Sequence, residues 1–162
     1  MLTMKDAAAE FLALKRIAVT GVSRASKEHG ANYVYKRLRK RGYQVFAINP
    51  NADKVEGDRC YADLKSVPGG VEGVVIGTRP ETAEATVREC AELGITHVWM
   101  HSPAAGPGSV SKTAAQYGRD HGITVIEGGC PLMFSPTSDP GHRLMRLAFT
   151  PSGKVPKEVA TP

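Results

Sequence analysis

The strongest chemical signal in this sequence is the segment 17–24, which reads Ile-Ala-Val-Thr-Gly-Val-Ser-Arg. An apolar run ends at Gly21, passes Ser23 and Arg24, and leads into a helical pattern over residues 31–41. A strand that turns sharply into a helix directs backbone N–H groups and the positive end of the helix dipole at an anion. Ser23 stands where the second glycine of the G-x-G-x-x-G dinucleotide motif would be. The segment therefore predicts a phosphate site that lacks the dinucleotide fingerprint.

Polar and cationic residues also follow the other predicted strands. Asn49 ends the apolar run 43–48, and Thr78 ends the run 73–77. Ligands of parallel sheets bind outside the carboxyl ends of the strands, so we expect these loops to share one rim. The candidate ligand-binding residues on this rim are Gly21, Val22, Ser23, Arg24, Asn49, Pro50, Lys54, Thr78, Arg79, Pro80 and His101.

The end of the second strand discriminates between two classes of nucleotide. NAD-binding folds usually place Asp or Glu there, which accepts hydrogen bonds from the ribose hydroxyls. Here the position is Asn49, followed by Pro50 and, a little later, Lys54. A neutral end with a nearby lysine accepts a phosphorylated ribose that a carboxylate would repel. Alternatively, Asn49-Pro50 is only a tight turn that leaves the strand, and the residues leave both interpretations open.

Several rim residues have a structural explanation beside the binding one. Arg79 either contacts a diphosphate or is a surface arginine before the proline that begins a helix. Thr78 begins a capping-box pattern, which predicts that it caps the next helix. Ser23 either donates to a phosphate oxygen or caps the turn. Arg24 and Lys27 either flank the same anion or are solvated.

The sequence shows no evident catalytic set. Its five histidines are scattered without metal-ligand spacing, and we find no nucleophile elbow, Walker lysine motif or paired carboxylates. Cys130 and His101 follow predicted strands and could form a nucleophilic pair. A buried or structural thiol is the preferred interpretation of Cys130. The residues therefore favour binding over turnover and indicate no metal site.

The elements that position these residues form a repeating pattern of strand and helix. The predicted strands cover residues 17–20, 43–48, 58–61, 73–77, 97–100 and 123–126. Helical patterns lie between most of them, and a further short helix is predicted near 141–149. Such alternation predicts a three-layer α/β/α domain with a mostly parallel sheet of five to six strands. We expect one domain over 1–149 with an appended helix within 1–15, and a flexible tail over the proline-containing segment 150–162.

Composition excludes several classes of protein. The chain has 162 residues, 41% hydrophobic and 23% charged, as expected for a globular domain. It contains no apolar stretch near the ~18 residues that span a bilayer, and we expect no secretory leader from the residues at its start. Three widely spaced cysteines indicate reduced thiols in a cytoplasmic protein. The net charge of +5 tolerates an anionic ligand, but no dense basic run with aromatics points to nucleic acid.

The combined order of these motifs resembles the stand-alone coenzyme A-binding proteins. These are similar to the nucleotide-binding domain of succinyl-CoA synthetase α subunits and of NDP-forming acyl-CoA synthetases. The resemblance runs from about residue 15 to 147 and rests on the G-V-S turn, on G-Y-x-V-x-x-x-N-P over 42–50, on Tyr61, Arg79-Pro80, the Trp99 strand and Cys130-Pro131. Each motif alone is weak, and their common order carries the resemblance.

The resemblance implies a Rossmann-like sheet with coenzyme A as the ligand. The CoA diphosphate would lie on the turn 21–23, and the phosphorylated adenosine would lie near Asn49, Pro50 and Lys54. The turn 78–80 would line the other side of the cleft. His101 departs from the family, which more often has glutamine there. The synthetases continue into a ligase domain with a phosphorylated histidine, which this sequence lacks, so we expect no synthetase activity.

Together these observations predict a protein that binds CoA or an acyl-CoA in a non-catalytic or regulatory role. One alternative is an NAD(P)-binding oxidoreductase or nucleotide redox sensor. A second is a regulatory module in which the bound CoA is the signal to a protein partner, with a homodimer also possible. A third is a thiol-dependent transferase that uses Cys130.

Overall fold

The computed structural model describes residues 1–25 and 30–162. Within them, seven strands form the main sheet. Its members are β2 (Arg16–Thr20), β3 (Gln44–Ile48), β4 (Lys54–Val55), β5 (Asp58–Tyr61), β6 (Gly73–Ile76), β7 (His97–Met100) and β8 (Thr124–Glu127). Their order is β4-β5-β3-β2-β6-β7-β8, and only the pairing of β4 with β5 is antiparallel. The mostly parallel sheet predicted from the sequence is confirmed, and the two-residue strand β4 extends it.

Helices cover both faces of this sheet and form the two outer layers of the domain. One face packs against α1 (Met4–Leu12), α2 (Gly30–Lys40) and α5 (Pro140–Phe149), and the other packs against α3 (Pro80–Glu92) and α4 (Lys112–Asp120). Side chains of β2 alternate between the two cores, with Ile17 and Val19 in one and Ala18 in the other. Because both faces are buried, the strand is an uninterrupted apolar run.

The sheet has a switch point between β2 and β6. From β2 the chain passes through α2 to β3 on one side, whereas β6 leads through α3 to β7 on the other side. Val19 of β2 lies level with Ala47 of β3 and with Val75 of β6. The loops that leave β2 and β6 therefore part at the carboxyl edge of the sheet, where open α/β sheets bind their ligands.

The two ends of the chain pair with each other. Strand β1 (Leu2–Thr3) runs antiparallel to β9 (Glu158–Val159), and the Met4 amide donates to the Lys157 carbonyl at 2.9 Å. Val155 and Val159 are both buried in the core that contains α1. This packing differs from the flexible tail expected from the sequence, because the tail places its two valines on an apolar site that only tertiary folding creates.

Helix α1 lies within the segment 1–15, where an appended helix is expected. The Thr3 hydroxyl accepts from the Asp6 amide at 3.2 Å, which is an N-cap, and the last helical residue is Leu12. In the described part of the chain, no helix has the combination of length and apolarity that crossing a membrane requires.

Candidate ligand-binding cleft

The turns that follow β2 and β6 lie directly against each other. A Cβ on Gly21 would stand 2.6 Å from the Gly77 carbonyl oxygen and 3.0 Å from the Thr78 nitrogen. The φ angle of Gly21 is +77°, a backbone region that favours glycine. The Gly77 amide donates to the Thr20 hydroxyl at 3.1 Å, and a Cβ on Gly77 would stand 2.6 Å from Cβ of Ala31. The two glycines thus bring both turns and the start of α2 together.

The turn after Gly21 is held by a side chain that the sequence analysis did not select. Asn32 of α2 is fully buried, and its Oδ1 accepts from the Ser23 amide at 2.8 Å. Its Nδ2 donates to the Ser23 carbonyl at 2.7 Å. The Ser23 Oγ accepts from the Ala25 amide at 3.1 Å. Within the described residues, the Ser23 amide donates to Asn32 and does not point at an anion as expected, and the Ser23 hydroxyl is an acceptor only.

Asn49 closes the end of β3 onto the same turn. Its Nδ2 donates to the Val22 carbonyl at 3.0 Å, and its Oδ1 accepts from the Asn51 amide at 2.9 Å. A carboxylate at this position would have no proton to give to Val22. The neutral residue that the sequence analysis weighed as a ligand contact thus has a structural role, which agrees with the tight-turn interpretation.

The outer part of the rim carries a cation and an acid. Lys54 and Pro50 are exposed, and Lys54 lies in β4 at the edge of the sheet, opposite Arg59 of β5. Glu56 accepts from Asn32 Nδ2 at 2.8 Å through Oε1 and lies 3.8 Å from Lys36 Nζ through Oε2. Sequence reasoning missed Asn32 and Glu56. The sequence indicated Asn32 only as a polar residue beside the apolar stripe of α2, and nothing in the sequence pointed to Glu56.

A cleft of about 530 Å³ opens between these turns and the loop after β7. Its walls are the start of α2 at Gly30, the turn 77–79, the His101 ring and the loop 103–109. This size lies in the usual range for small-molecule and cofactor sites. Of the predicted site residues, Thr78, Arg79 and His101 line the cleft. Gly21, Val22 and Ser23 form the adjoining turn, and Asn49 is bonded to it, whereas Arg24, Pro50 and Lys54 are exposed near the rim.

Thr78 does not cap the helix that follows it. The N-cap of α3 is Arg79, without a side-chain hydrogen bond, and Pro80 takes the first helical position. The prediction of a Thr78 cap is therefore wrong, because the helix begins one residue later. The Thr78 Oγ1 is buried and has no hydrogen-bond partner within residues 1–25 and 30–162. A buried polar atom without a protein partner beside a cleft is suited to a ligand.

His101 stands at the inner wall of the cleft as a neutral ring. Burial, with a smaller contribution from the charge of His142, lowers the pKa of His101 to about 4. A Cβ on Gly30 would lie 3.0 Å from its Cε1, so the ring packs against the start of α2. The Ser109 amide donates to the His101 carbonyl at 2.8 Å, which folds the loop 102–109 over the ring. At neutral pH one ring nitrogen donates and the other accepts.

Cys130 is not prepared for nucleophilic chemistry. The thiol is buried, and burial raises its pKa to about 12, so it is protonated at neutral pH. A neutral His101 of low basicity would not activate it. The interpretation of Cys130 as a buried thiol is confirmed, and the described geometry does not support the nucleophilic pair.

Among the described residues no cluster of His, Cys, Asp and Glu has the geometry to hold a metal ion. Lys27, the other cation considered beside Arg24, lies outside the described residues.

Comparison with known proteins identifies residues 15–136 as a CoA binding domain. The chain is similar to the ADP-forming acetate–CoA ligase II of Archaeoglobus fulgidus, with 29% identity over 121 residues that make up 69% of this chain. It is also similar to the uncharacterized protein YneT of Bacillus subtilis, with 29% identity over 116 residues, 72% of this chain and 82% of that protein. A solved structure of a hypothetical protein from Pyrococcus horikoshii OT3 matches with a TM-score of 0.69 and 28% identity, covering 76% of this chain and 83% of that one.

The ligase is much longer than the matched region, because the match spans 18% of its length. The match to the family extends over more than half of the chain and contains β2 to β8 together with the cleft. This chain therefore belongs to the CoA binding domain family.

Proposed function

We propose that this protein binds coenzyme A in the cleft at the carboxyl edge of its sheet. The observation that carries the proposal is the buried Thr78 hydroxyl, which has no partner among the described residues and lies beside the cleft. Family membership supports CoA as the ligand class. The contact between the Gly21 turn and the Gly77–Thr78 turn supports a single continuous site.

The diphosphate of CoA would lie on the turn 21–23. Among the described residues the Ser23 amide donates to Asn32 and the Ser23 hydroxyl only accepts, so the hydroxyl is the group of Ser23 that would donate to the diphosphate. The positive end of the α2 dipole and the exposed guanidinium groups of Arg24 and Arg79 supply positive charge around it. This arrangement attracts a multiply anionic ligand.

The phosphorylated adenosine would extend over Asn49 and Pro50 towards Lys54. Because Asn49 is neutral and Lys54 is exposed, this end of the rim tolerates a phosphate on the ribose. The Glu56 carboxylate nearby is engaged by Asn32 and Lys36, which reduces its repulsion of that phosphate.

The pantetheine arm would follow the inner cleft past Thr78 and His101. The arm contains two amide groups, and the Thr78 hydroxyl and the neutral His101 ring are matching hydrogen-bond partners for amides. The buried, protonated Cys130 argues for binding without covalent chemistry. The proposed role is therefore that of a CoA or acyl-CoA carrier or sensor.

The main test is calorimetric titration with CoA, 3′-dephospho-CoA, NADPH and NADH. We expect CoA to bind most tightly. Ser23→Glu places a carboxylate against the diphosphate and is expected to abolish binding while the thermal transition persists. Ser152→Glu is the matched control, since Ser152 is exposed and its hydroxyl donates to the Phe149 carbonyl. Tighter binding of NADPH, or unchanged CoA affinity in folded Ser23→Glu, would contradict the proposal.

A second titration addresses the adenosine end. Lys54→Ala is expected to weaken CoA several-fold and to leave 3′-dephospho-CoA unchanged, because only CoA carries the ribose phosphate. Lys65→Ala, on the exposed turn before β6, is the control. An equal loss for both ligands would place the phosphate elsewhere.

A further inference from the structure

The C-terminal segment, residues 154–162, is attached to the rest of the protein at a few points. Of its nine residues, only Val155 and Val159 are buried, and both pack in the core that contains α1. Its strand β9 pairs with β1 over two residues, and both strands lie outside the region 15–136 that matches the family. A segment with so few buried contacts opens locally at a lower free energy than the whole domain unfolds.

This segment lies against the backbone of the loop that follows β8. The Gly129 amide donates to the Lys154 carbonyl at 2.9 Å, and a Cβ on Gly128 would stand 2.7 Å from the same carbonyl oxygen. A Cβ on Gly129 would lie 3.6 Å from both methyl carbons of Val155. The two glycines have φ angles of +119° and +68°, which favour glycine. They therefore allow a close contact between the segment and this loop.

The loop after β8 also holds the inner wall of the cleft. The Ser102 amide donates to the Gly129 carbonyl at 2.9 Å. Ser102 stands between His101 and Pro103, which both line the cleft. Gly129 is thus bonded to the C-terminal segment through its amide and to the cleft wall through its carbonyl.

A side chain joins the segment to the same wall at a second point. Lys154 Nζ donates to the Ala104 carbonyl at 3.3 Å. The neighbours of Ala104 in the loop, Pro103 and Ala105, line the cleft. The loop 102–109 is therefore tied to the segment twice, once through the loop after β8 and once through the lysine.

We propose that docking of the C-terminal segment is coupled to CoA binding in the cleft, so that the segment regulates ligand affinity. Because it concerns the same ligand, the coupling rests on the proposed function. The docked segment holds the loop 102–109 where it forms the cleft wall beside His101. When the segment detaches, the Gly129 amide loses its acceptor and the loop loses both ties. CoA must then order the loop as it binds, which lowers its affinity.

The test detaches the segment in the full-length protein. Val155→Asp with Val159→Asp places carboxylates at two buried positions, which favours the detached segment. Exchange of the Met4 amide, whose acceptor lies in the segment, should accelerate and report the detachment. Calorimetric titration is expected to show CoA affinity about fivefold lower or more. Ser152→Asp with Ala160→Asp adds the same charge at exposed positions nearby and is the control.

A neutral pair repeats the test should the buried charges disturb folding. Val155→Ala with Val159→Ala weakens the packing of the segment. Val67→Ala with Val87→Ala is its control, because it removes the same number of methyl groups from the other core and neither valine lines the cleft. Both pairs lower the free energy of unfolding, and only the first is expected to weaken CoA binding.

The reverse effect is measured by hydrogen exchange in the wild-type protein. Saturating CoA is expected to slow exchange of the Met4 amide by the same factor, because coupling between two sites is reciprocal. Exchange of the Gly94 amide, which bonds to the Ala91 carbonyl at the end of α3, is the control and should not change. Wild-type CoA affinity in the detached variant, or unchanged Met4 exchange in the complex, would overturn the coupling alone. Absence of CoA binding to the wild-type protein would contradict the proposed function and the coupling with it.

Discussion

Two buried polar groups distinguish the cleft from an apolar crevice at the scale of single residues. The Thr78 hydroxyl has no partner within the described chain, and the His101 ring is neutral against the start of α2. Native proteins rarely leave buried polar atoms unpaired, and those that remain call for a specific explanation. Thr78 and His101 therefore provide the most direct mutational tests of the cleft.

Removal of the Thr78 hydroxyl is expected to stabilise the free protein and weaken the complex. Thr78→Val replaces a hydroxyl that has no partner among the described residues by a methyl group of similar shape. The free energy of unfolding without ligand should rise by about 1 kcal/mol, and CoA affinity should fall about fivefold to tenfold. Urea unfolding and calorimetry measure the two effects. Thr86→Val, in the exposed part of α3, is the control, and unchanged CoA affinity in Thr78→Val would place the arm elsewhere.

The His101 ring makes stability depend on pH in a defined direction. The folded state holds its pKa at about 4, whereas an unfolded histidine titrates near 6.5, so the unfolded chain binds a proton first as pH falls. The stabilising contribution is complete above pH 6.5 and is lost progressively towards pH 4, by about 3 kcal/mol in total. Urea unfolding between pH 6.5 and pH 4 should show this loss of stability in the wild-type protein and in the control variant His121→Gln.

His101→Gln is expected to remove that part of the pH dependence, because glutamine does not titrate. His121 is exposed at the end of α4 and accordingly serves as the matched control. A slope that is identical in His101→Gln and wild type would show that the ring is accessible to protons in the folded state.

At the scale of elements, the site depends on how α2 is attached to the turn before it. Asn32 joins this helix to both backbone groups of Ser23 and to Glu56 in the β4–β5 turn. Gly77 lets β6 approach the first turn of α2 so closely that a Cβ would collide with Ala31. Short contacts thus hold α2 against the Ser23 turn, the β4–β5 turn and the end of β6.

Loss of the Asn32 side chain is expected to disturb both stability and binding. Asn32→Ala leaves the Ser23 amide and carbonyl and the Glu56 carboxylate without this partner. The cost in unfolding free energy should be about 3 kcal/mol, and CoA affinity should fall more than tenfold. Urea unfolding and titration check both, with Asn51→Ala on the exposed rim as control. A destabilised variant with wild-type CoA affinity would show that the Asn32 hydrogen bonds support the fold and do not contribute to CoA binding.

At the scale of the whole molecule, the sheet divides the protein into two cores and the ends of the chain close one of them. The core with α1, α2 and α5 includes Val155 and Val159 from the C-terminal segment. The Gly129 amide donates to the Lys154 carbonyl at 2.9 Å, so this segment also supports the loop after β8.

The C-terminal segment is expected to contribute measurably to stability. Val155→Ala with Val159→Ala removes four buried methyl groups and should lower the free energy of unfolding by about 3 kcal/mol. Hydrogen exchange of the Met4 amide, which bonds to the Lys157 carbonyl, should accelerate in parallel. Ala160→Ser, in the same segment but exposed, is the control. Unchanged stability and exchange in the double variant would indicate a segment that is detached in solution.

The sequence determined the order of strands and helices, the switch from β2 to α2, and the family. These signals are local, because apolar periodicity and glycine turns act over a few neighbouring residues. Only the tertiary structure decided that Asn49 and Asn32 support the Ser23 turn, that the Thr78 hydroxyl has no partner in the described part of the chain, and that the C-terminal segment packs on the core. Those outcomes depend on contacts between residues far apart in the chain. A polar side chain or a terminal valine acquires its role only when a distant segment arrives beside it.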